Sequence, residues 1–260
     1  MSILERLPEN EIISAVLEAG KLLDGAGAVH EIHAKNRTDF VTDVDVRVQE
    51  TLKARLAELL PEVQFMGEEQ DNSAIDWSRP LWILDPVDGT TNLIRALRHS
   101  AISLALSEAG RVVFGVVYNP YAGELFTAVL GAGAKLNGRT IHVTAAATLA
   151  ECLVCAGTAP GHREWTELVF RDIRRIYERG LDIRRSGCAS LDLCDVACGR
   201  ADAYEERYLC PWYYAAGSLI LAEAGGRVTN CEGGPLDFKD GGSLLATNGL
   251  VHDELIELLR

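Results

Sequence analysis

The apolar positions of this chain fall into two periods. Ile12, Ile13, Val16, Leu17, Leu22 and Leu23 recur at near-helical spacing and predict an amphipathic first helix that frays into the glycine-rich stretch 24–28. Val44, Val48, Leu52, Leu56 and Leu60 form an i+4 ridge, predicting a second helix from about Asp45 that Pro61 stops. Val63 to Met66 reads as a short strand with Glu68 just past its end. Trp82, Ile83 and Leu84 then make an apolar run typical of a strand buried on both faces. The texture changes after residue 100. Ala101 to Leu106, Arg111 to Tyr118, Glu124 to Val129 and Ala134 to Val143 read as successive antiparallel strands separated by Gly- and Pro-bearing turns, with a hairpin signal at Asn137-Gly138.

The second half alternates. Strands are expected at Cys152–Cys155, Ile183–Ser186, Ala201–Glu205 and Leu244–Thr247. Helices are expected around Thr166–Arg179, Ala189–Cys198, Trp212–Ala224 and Asp253–Leu259, the third closed by Gly225-Gly226. No linker, repeat or low-complexity segment interrupts this order. It describes one α+β unit of 260 residues, with approximate halves 1–147 and 148–260.

The buried strand ends in Asp85-Pro86-Val87-Asp88-Gly89-Thr90-Thr91-Asn92. Two carboxylates at i, i+3 can converge on a hard cation, which prefers oxygen ligands. Gly89 lets backbone approach a ligand, and amides at a helix start donate to anions. Alone, such a pair is common on solvated loops. The strand end before it, the Gly-Thr-Thr after it and Glu68-Glu69 upstream give it weight. A net charge of −13 argues against a nucleic-acid polymer or an anionic membrane as partner. It would also repel a phosphorylated substrate unless bound cations reverse the local sign.

Four acidic segments, at Thr42–Asp45, Gly67–Glu69, Asp85–Thr91 and Tyr204–Glu206, are joined by Cys210-Pro211-Trp212-Tyr213-Tyr214-Ala215-Ala216-Gly217. With Asp39-Phe40-Val41-Thr42, Gly115–Tyr118, Gly199–Tyr204 and Ala222–Gly226, the chain resembles the inositol monophosphatase family over nearly its whole length. The resemblance implies a layered α-β-α-β-α sandwich of the inositol monophosphatase / fructose-1,6-bisphosphatase type, usually a homodimer. It implies a Mg²⁺-dependent, lithium-sensitive phosphomonoesterase in which two or three ions activate a water for in-line attack on phosphorus. Position by position, Glu68, Asp85 and the Val87 carbonyl would hold the first ion, Asp85 and Asp88 the second, and Glu68 a weaker third. Thr90, oriented by Asp45, would position the water, and the Gly89 and Thr90 amides would cradle the phosphate. Gly187, Cys188, Ala189 and Glu206 would meet the hydroxyl-bearing part of the substrate. The first half is thereby the metal-binding side and the second the substrate side.

One position departs from this pattern. Tyr213 stands where the family places an aspartate ligand of the second ion, and a neutral phenol is a poor Mg²⁺ ligand. Three readings stay open: a weakened second site, a pseudo-phosphatase that binds without turnover, or an engineered or accidental change, since one nucleotide converts an aspartate codon to a tyrosine codon. The default substrate is inositol 1-phosphate. Relatives of this architecture also act on fructose 1,6-bisphosphate, histidinol phosphate and nucleotide phosphates.

The bland readings are specific too. Asp45 can serve as a helix cap, Glu206 belongs to the charged run Glu205-Glu206-Arg207, and Arg184-Arg185 reads as an exposed pair. The seven cysteines include a single Cys-x-x-Cys in an apolar segment, which reads as core thiols. None of the six histidines has metal or triad spacing. No run reaches membrane-spanning length, and with no secretory leader in residues 1–8 the expected location is cytoplasmic.

Overall fold

The computed structural model describes residues 3–23, 29, 31–35 and 40–260. Asp39 and the stretch 24–28 lie outside them, so the fraying of the first helix and the start of the Asp39–Thr42 motif do too.

The chain opens with α1 (Glu9–Gly20) and a two-stranded antiparallel pair, β1 (Ile32–Ala34) and β2 (Phe40–Thr42). α2 (Asp43–Leu59) starts on a capping box: Thr42 accepts from the Val44 and Asp45 amides while the Asp45 carboxylate accepts from the Thr42 amide. Its apolar ridge of Val44, Val48, Leu52 and Leu56 is wholly buried. β3 (Gln64–Gly67), β4 (Leu81–Asp88), β5 (Ala101–Glu108), β6 (Arg111–Asn119), β7 (Glu124–Val129), β8 (Ala134–Leu136) and β9 (Arg139–Thr140) follow, with the short α3 (Thr90–Ile94) between β4 and β5. These seven strands pair in sequence order. Only the β3–β4 pair is parallel. The strand expected to run from Ala134 to Val143 is instead a small hairpin, turned at Asn137-Gly138 with both residues at positive φ.

The second sheet is built from β10 (Leu153–Ala156), β11 (Asp182–Arg184), β12 (Ala203–Leu209), β13 (Arg227–Thr229) and β14 (Gly242–Thr247), in the order β11-β10-β12-β14-β13. α4 (Thr166–Arg179), α5 (Ala189–Ala197), α6 (Pro211–Glu223) and α7 (His252–Leu259) alternate with its strands.

The packing separates into three hydrophobic layers, and β4 shows why. Trp82 and Leu84 point one way, into the cluster made with α1 and α2. Leu81 and Ile83 point the other way, into the cluster of α5, α6 and the inner face of the second sheet. The outer face of that sheet packs on α4 and α7 through Val154, Ala203, Ile176 and Leu255. The result is the expected α-β-α-β-α sandwich. α6 is apolar almost all round because it lies between two sheets, and it lies close: a Cβ on Gly115 of β6 would come 2.9 Å from the Ala216 carbonyl. Among the described residues no helix is long and apolar enough to cross a membrane. All seven cysteines are free thiols, five of them buried.

Candidate active site

The acidic groups meet where β3 and β4 end side by side. β4 is buried along all eight residues. Its pairing with β5 slips between Asp85 and Asp88, where Pro86 has no amide to give the ladder. The slip turns the backbone, and the Val87 amide donates to Asp85 Oδ1 at 2.9 Å. Gly89 then adopts φ 88°, and a Cβ there would come 3.1 Å from the His99 carbonyl and 3.3 Å from that of Gly187. Both the conformation and the space require glycine. Glu68 follows β3 directly, its amide donating to the Leu84 carbonyl at 3.2 Å.

Asp45 arrives from the first turn of α2. Its Oδ2 is taken by Thr42, and its Oδ1 lies 3.1 Å from Thr90 Oγ1, which is also 3.0 Å from the Val87 carbonyl. The single Thr90 hydroxyl proton thus faces two acceptors. Asp45 caps its helix and meets Thr90 as well.

The second sheet closes the other side. Asn92 donates to the His99 carbonyl at 2.7 Å and to the Ser186 carbonyl at 3.1 Å, tying the turn after β4 to the turn before α5. Gly187 there has φ 86°. Asp88 Oδ2 accepts from the Ser190 amide at 2.6 Å and from Cys188 Sγ at 3.2 Å. Glu206 on β12 is buried, accepting from the Ala159 amide at 2.7 Å and the Tyr204 hydroxyl at 2.6 Å. The reading of Glu206 as part of a solvated charge run is therefore corrected: both it and Glu205 are buried.

Burial dominates the electrostatics of the cluster. It raises Asp85 well above the usual carboxylate range, with the Glu68, Asp88 and Asp45 charges adding to the effect. Glu68 is pushed up to about 8 by burial, opposed chiefly by the Lys35 ammonium. Asp88 is raised by burial against its bonds from Ser190 and Cys188. Burial and the Asp88 charge also hold the Cys188 thiol well above its ordinary value, so it is a packed thiol and not a nucleophile.

Buried carboxylates in this number call for positive charge. Glu68 Oε2 and Asp85 Oδ2 are buried without a hydrogen-bond partner, which suits a hard divalent cation such as magnesium. Among the described residues no three or more His, Cys, Asp or Glu side chains converge on one point. An ion here would complete its shell largely with water, as magnesium commonly does.

The description of the inositol monophosphatase family matches residues 9–260. The chain belongs to the inositol monophosphatase family. It is 37% identical to an inositol-1-monophosphatase of Rhizobium meliloti over 256 residues, covering 96% of this chain and 95% of the relative. It is 37% identical to a Nus factor SuhB of Xylella fastidiosa over 230 residues, 86% and 82% of the two chains. The crystal structure of the extragenic suppressor protein suhB from Bartonella henselae superposes with a TM-score of 0.91 at 34% identity, covering 97% and 98%. Membership of the inositol monophosphatase family supports a phosphatase acting on phosphorylated small molecules.

Against the family pattern, Tyr213 lies in the first turn of α6 with its hydroxyl donating to Glu68 Oε1 at 3.0 Å. Burial and the Glu68 and Asp85 charges hold this phenol well above its ordinary value, so it stays neutral. The structure brings Asp45, Glu68, Asp85, Asp88 and Thr90 together, with Cys188 and Ala189 against Asp88, Gly187 against Gly89 and Asn92, and Glu206 farther along the second sheet. Sequence reasoning missed Lys35, whose ammonium lies 2.5 Å from Glu69 and 3.5 Å from Glu68. It also missed the Ser190 amide and Tyr204. A lone lysine beside a loop and a backbone amide carry no pattern. Tyr204, two residues before Glu206 on one strand, was open to a period-two reading.

Proposed function

We propose that this chain is a Mg²⁺-dependent phosphomonoesterase for a small polyol or sugar phosphate, with inositol 1-phosphate the default substrate. The observation that carries this reading is the pairing of Thr90 with Asp45 beside two partnerless buried oxygens on Glu68 and Asp85. Glu68, Asp85 and the Val87 carbonyl would hold magnesium, with Asp88 next to them. Bound magnesium supplies positive charge against the phosphate oxygens and makes a bound water more acidic. Thr90 Oγ1 orients the attacking water, and Asp45 Oδ1 accepts the proton that Thr90 passes on. The Gly89 and Thr90 amides bind the phosphate. Gly187, Cys188, Ala189 and Glu206 meet the substrate hydroxyls, Glu206 being held as an acceptor by Tyr204 and Ala159. The first half, 1–147, is on this reading the metal side and 148–260 the substrate side. A cytoplasmic homodimer is the proposed state, and analytical ultracentrifugation tests the dimer.

A second reading has its own observation. The Tyr213 phenol on Glu68 favours a pseudo-phosphatase that binds without turnover. One relative is named a Nus factor, which is a name for a role other than hydrolysis. The deciding experiment is phosphate release from inositol 1-phosphate across a Mg²⁺ titration, for this chain and for Tyr213→Asp. Turnover by both supports the phosphatase. Silence of this chain beside an active Tyr213→Asp supports the second reading. Fructose 1,6-bisphosphate, histidinol phosphate and a nucleotide phosphate in the same assay rank the substrates.

A further inference from the structure

We infer that this site is built for one divalent cation per chain, with the Tyr213 hydroxyl holding Glu68 in the orientation that receives it. The inference rests on the magnesium reading above and adds the number of ions and a role for Tyr213.

Most carboxylate oxygens of the cluster are already engaged. Both oxygens of Asp45 are engaged, one by Thr90 and the other by Thr42. Asp88 Oδ2 is held by the Ser190 amide and the Cys188 thiol. Asp85 Oδ1 is held by the Val87 amide. Glu68 Oε1 takes the Tyr213 hydroxyl and lies within reach of Lys35. In this cluster the buried oxygens without a partner are Glu68 Oε2 and Asp85 Oδ2. Two carboxylate oxygens, a carbonyl and waters make a sufficient shell for one magnesium-sized ion.

A second ion has a poorer place. On Glu68 it would have to displace the Tyr213 hydroxyl, and on Asp88 it could use at most Oδ1, because Oδ2 is already held. A phenol O–H offers Glu68 a donor and offers a cation no charge. Nor can the ring swing aside freely. It sits in the first turn of a helix buried between two sheets, edge-on to Trp212 at 5.9 Å between centroids, with its amide on the Cys210 carbonyl. Lys35 already supplies one positive charge at the mouth of the cluster. Tyr213 is therefore a positioning residue: it fixes Glu68 through Oε1 so that Oε2 faces Asp85.

The test is a Mn²⁺ titration of the full chain followed by the electron paramagnetic resonance signal of free Mn²⁺, with phosphate release measured on the same samples. The expected result is one Mn²⁺ per chain for the natural protein and two for Tyr213→Asp. Tyr213→Phe should keep one ion, bound several-fold more weakly, because Glu68 loses its orienting donor. Two ions on the natural chain, none on it, or undiminished affinity in Tyr213→Phe would overturn the inference. Circular dichroism verifies that each variant is folded, and Tyr213→Phe carries the test if Tyr213→Asp is not. Two ions with hydrolysis removes the inference and leaves the phosphatase reading standing. One ion without hydrolysis of any polyol or sugar phosphate, in the natural chain and in Tyr213→Asp alike, removes the phosphatase reading and leaves the inference.

Discussion

The Tyr213 hydroxyl donates to Glu68 Oε1 across 3.0 Å, joining the start of a helix from the second half of the chain to the end of a strand from the first. Lithium inhibition reports on that contact. On the proposed reading, a small monovalent cation would compete at the place of a second ion, which the Tyr213 phenol would narrow. Half-inhibition of the natural chain should need more lithium than that of Tyr213→Asp. Equal sensitivity, measured by phosphate release at fixed Mg²⁺, would count against this account.

Asp45 does two jobs that one substitution can separate. Asp45→Asn keeps the shape but removes the charge that, on the proposed reading, would receive a proton from Thr90. Turnover should fall by roughly 10²–10³-fold, while the loss of capping costs only about 1 kcal/mol. The check is kcat beside a urea denaturation curve on the same protein. A drop in kcat no larger than the lost folded fraction would make Asp45 a cap alone.

Gly157 tests the substrate side. A Cβ there would land inside the Glu206 carboxyl group. Gly157→Ala should push Glu206 out of place and raise KM several-fold with a smaller change in kcat. The strain should lower stability by about 1–3 kcal/mol. If KM stays put while Glu206→Gln leaves it unchanged too, Glu206 is not a substrate contact.

His252 sets an acid limit on stability. It is buried between the Thr229 and Thr247 hydroxyls, at 2.8 and 2.9 Å. Burial first, and Arg227 second, push it down to about 4 from an ordinary 6.5. The folded chain keeps the ring neutral while the unfolded chain takes up a proton. Stability is therefore full above about pH 6.5, falls as pH drops toward 4, and loses roughly 2 kcal/mol over that window. His252→Gln should flatten this part of the Tm–pH curve. An unchanged slope would assign the acid sensitivity to other groups.

Much of this architecture was legible in the residues, and the exceptions have physical causes. α4 runs over Thr166–Arg179, the span expected, and β4 carries its apolar run on into the two aspartates. β1, β2 and β13, each three residues long, were not read from the sequence. Glu205-Glu206-Arg207 reads as a surface run because the groups that allow its burial are far off in sequence: Arg207 pairs with Asp172 on α4, and Glu206 with Ala159. Lys35 was invisible for the same reason, since its value lies in the two glutamates it faces. The departure at Tyr213 was visible at once, but its hydrogen bond to Glu68 needed the fold.

Asn92 has one further consequence. Its amide donates to a carbonyl from each sheet's turns, so a single side chain clasps the two walls of the cleft. Neither wall can drift alone without breaking one of those bonds. Heat that loosens the seam will misalign the two walls while both sheets remain intact, so ligand affinity will fade at a lower temperature than the one at which the sandwich melts.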